Sequence, residues 1–226
     1  ITGIQSLGVM TDMPGLMVRF EREQRLPWRT RIATGIIKWC LNNFKKYVFL
    51  TEAMNVVNER KRPYIVMEGM SDRFMATYKR PFEAKDIKVV MYAGGLHERY
   101  GLKKLTEAFM MLPQENFRLK LFGSGPFVEK LKTKYTKKDS RIQYMGVAPN
   151  AEVVAAELDA SLLVNPRPTH EEFTKYSFPS KNIEYMASGT PLLTTKLPGM
   201  PKEYYPYVFL IENESVEGYA KALESV

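Results

Sequence analysis

Short apolar runs and helical stripes alternate through the second part of the chain. The apolar runs are bounded by glycine or polar residues and predict buried strands, and the stripes between them predict helices. Strands that are apolar on both faces and alternate with helices are typical of a parallel sheet, so the pattern predicts a doubly wound α/β fold. The predicted strands are residues 88–93, 118–122, 142–145, 161–165, 192–195 and 208–211.

The first 80 residues carry a less regular form of the same pattern. The predicted elements there are strands at 7–11, 47–51 and 64–67 and helices over 28–46 and 52–60. Because the pattern changes near residue 80, we predict two domains, residues 1–80 and 81–226. The apolar pattern is already under way at Ile4, and we expect the chain to be a fragment of a longer protein.

Composition excludes some classes of protein and leaves several classes of ligand open. The chain has 226 residues and a formal net charge of +8, which favours nucleic acid, anionic lipid or phosphate-bearing ligands without choosing among them. The single cysteine, Cys40, excludes a disulfide within the chain and favours a reducing compartment, so we expect a cytoplasmic protein. With only two histidines and no Cys/His cluster, the sequence predicts no structural zinc site.

The segment from Tyr176 to Pro191 predicts a loop that leads into a helix. Ser177 or Ser180 is suited to cap the helix, and Pro179 lies where a first turn tolerates proline. Gly189 is placed to end the helix just before Pro191.

The start of this predicted helix is a candidate site for an anionic ligand. The first N–H groups of a helix and its dipole favour negative charge, and Lys181 adds a full positive charge in the first turn. Glu184 lies one turn further on, where a carboxylate can hold sugar hydroxyls. A phosphate site beside a sugar site indicates a nucleotide sugar as the ligand.

Other candidates lie on turns that follow predicted strands. Gly94 and Gly95 either bring the backbone close to a phosphate or form a tight turn and no more. The turn at 123–126 either contacts a ligand or is a turn that follows a strand in any protein. Neither matches a dinucleotide-binding or Walker pattern. Arg167 lies between two prolines, which restrict the backbone and aim a side chain whose donors suit a diphosphate.

The segment 19–46 is rich in arginine and lysine, with tryptophan and phenylalanine between them. Three interpretations stay open: contact with an anionic membrane surface, an ordinary helix with a solvated basic face, and nucleic-acid binding. No nucleic-acid recognition motif accompanies it, and we expect no nucleic-acid partner.

Four segments together resemble the nucleotide-sugar-binding domain of GT-B glycosyltransferases of family 4, also called group 1. They are 89–109, with the glycine turn, 119–126, with Gly-Ser-Gly-Pro, 142–146, and 178–191, with Glu-Tyr-Met-Ala-Ser-Gly-Thr-Pro. The resemblance implies a Rossmann-like donor domain over 81–226, preceded by part of a second Rossmann-like domain for the acceptor. The variant Asn-Pro-Arg-Pro from Asn165 onwards is similar to enzymes that build capsule, exopolysaccharide or O-antigen repeats.

The resemblance also implies roles for individual residues. Glu184 is similar to the family's ribose-binding glutamate, while Tyr144 and Met145 lie where the family holds the base. The implied catalytic residues are Arg167, Lys181 and Glu184. The implied donor-binding residues are Gly94, Gly95, Arg99, Tyr144, Met145, Ser177, Phe178, Pro179 and Ser180.

The sequence departs from the family pattern at two places. Tyr176 stands where the family has a first glutamate, for which Glu171 or Glu172 is a possible substitute. Gly95 and Tyr100 stand where the family has arginine and lysine, and Arg99, Arg167 and Lys181 are the available replacements.

The implied activity is that of a retaining hexosyltransferase. Its donor is a nucleoside-diphosphate sugar and its acceptor a glycan or lipid-linked glycan of a surface polysaccharide, without a metal or cofactor. A cytoplasmic location with peripheral contact at the inner face of the membrane, through the basic segment 19–46, is expected. The alternatives are a non-catalytic nucleotide-binding protein with a GT-B-like fold and a sugar-nucleotide epimerase on the same fold.

Overall fold

A computed structural model describes residues 5–13, 28–72, 75 and 86–226. The chain divides into two compact units. The first comprises Ile1–Gly69, His170–Ser180 and Pro198–Met200, and the second comprises Met70–Thr169, Lys181–Leu197 and Pro201–Val226. The predicted domain boundary between residues 80 and 81 lies outside the described residues and stays a prediction.

Strands and helices alternate along the chain. The strands are β1 (Leu7–Met10), β2 (Lys46–Phe49), β3 (Tyr64–Val66), β4 (Lys88–Ala93), β5 (Phe117–Phe122), β6 (Ile142–Gly146), β7 (Leu162–Asn165), β8 (Leu192–Thr195) and β9 (Phe209–Ile211). The α-helices are α1 (Trp28–Leu41), α2 (Leu102–Met110), α3 (Phe127–Lys130), α4 (Thr136–Lys138), α5 (Asn150–Asp159), α6 (Phe173–Tyr176), α7 (Ser180–Ser188) and α8 (Val216–Glu224). A π-helical turn, Leu131–Tyr135, joins α3 to α4, and 3₁₀ turns cover Glu52–Val57, Glu98–Tyr100 and Lys202–Tyr207.

The first unit contains a three-stranded parallel sheet in the order β1-β2-β3. Met10, Tyr47, Phe49 and Met54 form its buried apolar cluster. Residues of the distant segment 170–180 join this unit, and Thr51 Oγ1 donates a hydrogen bond to the backbone carbonyl of Lys175 at 3.1 Å.

The second unit is built on a six-stranded parallel sheet in the order β6-β5-β4-β7-β8-β9. Successive side chains of a strand point to opposite faces. Accordingly, Val90 and Tyr92 join the cluster that contains α2 and α8, whereas Met91 and Ala93 join the cluster that contains Tyr185 of α7. Both faces of the sheet are buried, which confirms the predicted doubly wound α/β fold.

The strand order reverses between β4 and β7. From β4 the chain moves outward through β5 and β6, and it then returns to the other side of β4 as β7, β8 and β9. In doubly wound sheets the crevice for the ligand lies beyond the carboxyl ends of the strands at this reversal. A ligand site is therefore expected at the residues that follow β4 and β7.

Several predicted boundaries shift in the structure. The helix predicted over 28–46 ends at Leu41, because Asn43 turns back to donate a side-chain hydrogen bond to Trp39 O at 2.7 Å. The helix predicted over 52–60 is a 3₁₀ turn over Glu52–Val57. The short helix α6 and the 3₁₀ turns Glu98–Tyr100 and Lys202–Tyr207 carry no apolar periodicity long enough to predict them. In the described ranges of the chain, no helix is long and apolar enough to cross a membrane.

Candidate active site at the carboxyl edge of the second sheet

The turn after β4 lies directly beneath the side chain of Lys181. Gly94 has a φ of +153°, and an added Cβ there would lie 2.7 Å from Lys181 Cε. Tyr92 supports the turn from below, because its hydroxyl donates to Gly95 O at 3.0 Å. The structure thus brings Gly94 together with Lys181, two candidates that are far apart in the sequence.

The Gly-Ser-Gly-Pro turn after β5 packs against the turn after β4. A Cβ at Gly123 would lie 1.8 Å from Gly94 O, and one at Gly125 would lie 2.3 Å from Leu96 O. Leu96 N also donates to Ser124 O at 2.8 Å. Packing of backbone on backbone therefore accounts for Gly123 and Gly125 without a ligand.

Buried polar contacts fix the position of α7. The Tyr185 hydroxyl accepts a hydrogen bond from Ala93 N at 3.0 Å, at the end of β4. Asn182, fully buried, accepts from Asn165 Nδ2 at 2.6 Å, at the end of β7. Burial raises the pKa of Tyr185 well above its ordinary value, so the phenol stays protonated. These contacts hold the start of α7 at the point where the strand order reverses.

Lys181 and Glu184 lie one turn apart on α7, as the sequence predicted. Lys181 Nζ is 4.0 Å from Glu184 Oε2, and about a third of each side chain is exposed. An ion pair with this geometry and exposure contributes little to stability. Both groups are therefore available to a ligand at modest cost.

Two arginines meet at the ring of Tyr100. The guanidinium carbon of Arg167 lies 5.1 Å from the ring centroid, and that of Arg99 lies 5.7 Å from it. Cation–π attraction of this kind holds a guanidinium in place. The structure thus places two of the predicted replacement cations beside Tyr100, one of the two positions where the family's cations are missing.

A close backbone contact brings these arginines together. Gly101 has a φ of +84°, and a Cβ there would lie 1.8 Å from Pro166 O. Tyr219 of α8 donates its hydroxyl to the same carbonyl at 2.8 Å. The Arg167 carbonyl is held in turn by Thr195 Oγ1 at 2.5 Å.

Arg167 also acts on the phenol beneath the glycine turn. Burial raises the pKa of Tyr92 to about 12, and the positive charge of Arg167 partly offsets this effect. Tyr92 therefore remains a hydrogen-bond donor to the turn at neutral pH. The charge of Arg167 thus acts on the phenol that supports the glycine turn.

The residues predicted to meet the base lie at the end of β6. Tyr144 is half-buried and donates its hydroxyl to Gly123 O at 3.1 Å, with Lys132 Nζ 4.9 Å from its ring centroid. Met145 is exposed. Tyr144 thus steadies the second glycine turn, and its contact with a base stays a prediction.

The loop before α7 belongs to the first unit. Phe178 and Pro179 are buried, and α7 begins at Ser180, so the predicted loop-to-helix transition is confirmed, with Pro179 just before the first turn instead of in it. A cap from Ser177 or Ser180 stays a prediction.

Tyr176 ends α6 and packs against the apolar cluster of Tyr47, Phe49 and Met54. The position that carries a glutamate in the family is here part of a core. Of the two possible substitutes, Glu171 accepts a hydrogen bond from Thr174 Oγ1 through its backbone carbonyl, at 2.6 Å, and Glu172 is exposed just before α6. A role for either carboxylate stays a prediction.

Sequence reasoning missed Tyr92, Asn182 and Tyr185 as parts of the site. All three are buried and act by positioning the turn and the helix, and their neighbours in sequence give no sign of those partners. Among the residues that the structure describes, no group of three or more His, Cys, Asp or Glu side chains could hold a metal ion.

The part of the chain that contains the second sheet also matches a family model. The model described as Glycosyl transferases group 1 matches residues 87–226, the greater part of the chain. The chain belongs to this family. The match covers the second sheet and every element that builds the candidate site, and it includes the loop residues 170–180 that are grouped with the first unit.

One relative is similar to the chain in sequence, and two solved structures are similar to it in fold. It is 30% identical over 112 residues to WcaL of Escherichia coli (strain K12), named for a glycosyltransferase role in colanic acid biosynthesis; the match covers 47% of this chain and 27% of WcaL. The fold is similar to that of sucrose-phosphate synthase from Thermosynechococcus elongatus, with a TM-score of 0.71 and 20% identity over 99% of this chain.

It is also similar to that of WaaG, a glycosyltransferase involved in lipopolysaccharide biosynthesis, with a TM-score of 0.72 and 16% identity over 100% of this chain. The fold is therefore the GT-B fold, as expected. The chain spans 59% of the synthase and 66% of WaaG.

Proposed function

We propose that this chain carries the donor site of an enzyme that takes a sugar from a nucleoside-diphosphate sugar. The observation that carries the proposal is the position of Lys181, whose side chain covers Gly94 at the sheet edge where such folds bind ligands. A donor diphosphate lies there between the glycine turn and the start of α7, and Glu184 receives the ribose hydroxyls.

The distribution of positive charge supports this placement. Lys181 comes from α7, while Arg99 and Arg167 share the ring of Tyr100. Each guanidinium presents a planar fork of donors that matches phosphate oxygens. The three cations replace the arginine and lysine that the family carries at Gly95 and Tyr100.

The proposed reaction is a transfer with retention of configuration. The bond between the anomeric carbon and the diphosphate oxygen breaks, and an acceptor hydroxyl oxygen bonds to that carbon on the same face. The hydroxyl proton passes to the departing diphosphate. Lys181 and Arg167 stabilise the negative charge that develops on the diphosphate, an electrostatic role that fixed donors perform well. No metal or cofactor takes part.

We further propose a glycan or lipid-linked glycan of a surface polysaccharide as the acceptor. The names of WcaL and WaaG, which refer to colanic acid and lipopolysaccharide biosynthesis, support this class of product. Nucleotide-sugar chemistry of this kind suits a cytoplasmic enzyme.

Contact with an anionic membrane through the segment 19–46 remains part of the proposal. Residues 19–27 lie outside the described chain, while α1 exposes Trp28, Ile32, Ile36 and Trp39, spaced along one side of the helix. Sedimentation with vesicles that contain or lack anionic lipid tests this point, and equal binding to both would contradict it.

One observation favours a second candidate, a nucleotide-binding protein without transferase activity. Tyr176, in the place of the family's first glutamate, is committed to core packing. Release of free nucleoside diphosphate from the donor in the presence of acceptor extract supports the transferase. Binding of the nucleotide without turnover supports the second candidate.

The donor site is tested by calorimetry with UDP, GDP, ADP and CDP on the wild-type protein and on Lys181→Ala. We expect at least one diphosphate to bind, and Lys181→Ala to weaken it about ten- to hundredfold, since a hydrogen bond to a charged group contributes about 1.5–3 kcal/mol. The matching nucleoside should lose much less.

Lys88→Ala is the matched control. Lys88 is exposed at the amino end of β4, so the variant removes the same charge at the opposite edge of the sheet. It should bind like the wild type. Equal losses in both lysine variants would show that net charge, rather than the Gly94 contact, determines binding.

A further inference from the structure

Glu157 is a buried carboxylic acid in the second unit that the proposed reaction does not use. It lies on α5, and none of its surface is exposed. Neither carboxyl oxygen has a hydrogen-bond partner among the described residues. Burying a carboxyl group without partners is costly, above all in its ionised form.

The surroundings of Glu157 connect it to the candidate site. Its backbone carbonyl accepts a hydrogen bond from Thr190 Oγ1 at 2.9 Å, just after the end of α7. Two charged groups of helix α7, Lys181 and Glu184, influence the pKa of the Glu157 carboxyl. A third residue of α7, Tyr185, has a pKa that Glu157 influences in turn. Two of these three are the residues that we assign to the diphosphate and the ribose.

The Glu157 carboxyl gains or loses its proton near neutral pH. Burial raises its pKa to about 7, the negative charge of Glu184 adds to this effect, and the positive charge of Lys181 opposes it. A small change in the charge around Lys181 is therefore enough to change how often Glu157 carries a proton.

We propose that Glu157 is a proton-binding residue of the donor site, which takes up a proton from solvent when a diphosphate binds against Lys181. This inference rests on the proposed function. The bound diphosphate offsets the charge of Lys181 and adds negative charge, so the neutral carboxylic acid is favoured over the carboxylate. The step adds one O–H bond to Glu157 and needs no other reactant.

The inference fixes the direction of a pH effect. Well below pH 7, Glu157 is mostly protonated with or without ligand and contributes little pH dependence. As pH rises above 7, the free protein loses the proton while the bound protein keeps it. Affinity for the diphosphate should therefore fall as pH rises above 7, and this contribution should be absent in Glu157→Gln.

Calorimetry measures the proton directly. UDP, GDP, ADP and CDP are titrated in turn at pH 7 into the wild-type protein and Glu157→Gln, in PIPES and in Tris, whose ionisation enthalpies differ. The wild type should take up more protons than the variant, by up to about half a proton per site, since a group with a pKa near 7 is half ionised there. The comparison cancels protons exchanged by the ligand itself.

Glu224→Gln, the same change at the exposed end of α8, should keep the wild-type proton count. Equal counts in the wild type and Glu157→Gln would overturn the inference and leave the proposed function standing. Absence of binding by all four diphosphates would overturn both.

If Glu157→Gln does not fold, the wild-type protein still decides the matter. The ¹³C signal of the Glu157 carboxyl carbon should move toward the position of the protonated acid when the binding diphosphate is added at pH 7.5. A signal that stays in place, or moves toward the carboxylate position, would overturn the inference.

Discussion

Two glycine turns meet at the carboxyl edge of the second sheet, and the two glycines differ in the atoms that lie closest to them. Gly123, after β5, faces the backbone carbonyl of Gly94. Gly94, after β4, faces the stem of the Lys181 side chain. Both glycines have positive φ values, +125° and +153°, and both follow a strand.

The difference separates a structural glycine from one that shapes a site. A backbone carbonyl cannot move away from an added methyl group without displacing a strand, whereas a lysine stem can rotate. Gly123 is thus required for folding, and Gly94 keeps a charged side chain close to the main chain. In sequence both are open to a ligand-binding interpretation, and only the three-dimensional contacts distinguish them.

The largest effect that tests this comparison is the loss of stability in Gly123→Ala. The new Cβ would lie 1.8 Å from Gly94 O, on a backbone conformation that alanine rarely adopts. We expect a loss of about 3 kcal/mol or more in the free energy of unfolding, or failure to fold, measured by urea denaturation. A variant as stable as the wild type would contradict the structural role.

Gly94→Ala should lose ligand affinity more than stability. Strain at its positive φ costs about 1–3 kcal/mol, and Lys181 must swing away from the added methyl group. We expect a folded variant whose affinity for the binding diphosphate falls at least about tenfold. Calorimetry beside a denaturation curve measures both, and unchanged affinity would break the distinction between the two turns.

Gly35→Ala gives the smallest effect and serves as the control for both. Gly35 lies inside α1 with nothing within 4 Å of an added Cβ. Alanine has the higher helix propensity, so we expect a gain of about 0.5–1 kcal/mol in the free energy of unfolding. A loss of stability here would show that the response at Gly94 and Gly123 is not specific to their contacts.

The sheet of the second unit was predictable from sequence because its strands are buried on both faces. The run from Leu192 to Thr195 is fully buried, as its apolar pattern predicted. Gly189 has a φ of +75° just after α7, which confirms the predicted helix end. Local composition determines these features, so the sequence around them is sufficient.

The assembly of the site was less predictable because it depends on contacts between distant segments. Arg99 and Arg167 meet only because Gly101 lies against Pro166. Glu157 occupies a polar position on a helix, for which solvation is the usual expectation, and the packing around α5 encloses it instead. No local sequence pattern predicts the meeting of the two arginines or the burial of Glu157.

The central claim is that a nucleoside diphosphate binds at the turn after β4, against Lys181. The most direct test is a ¹⁵N–¹H spectrum of the protein with and without the diphosphate that binds in calorimetry. We predict that the amide signals of Gly94, Gly95 and Lys181 shift most, while that of Lys88, at the amino end of β4, stays in place. Signals at the glycine turn that do not move, with the largest shifts elsewhere, would contradict the account.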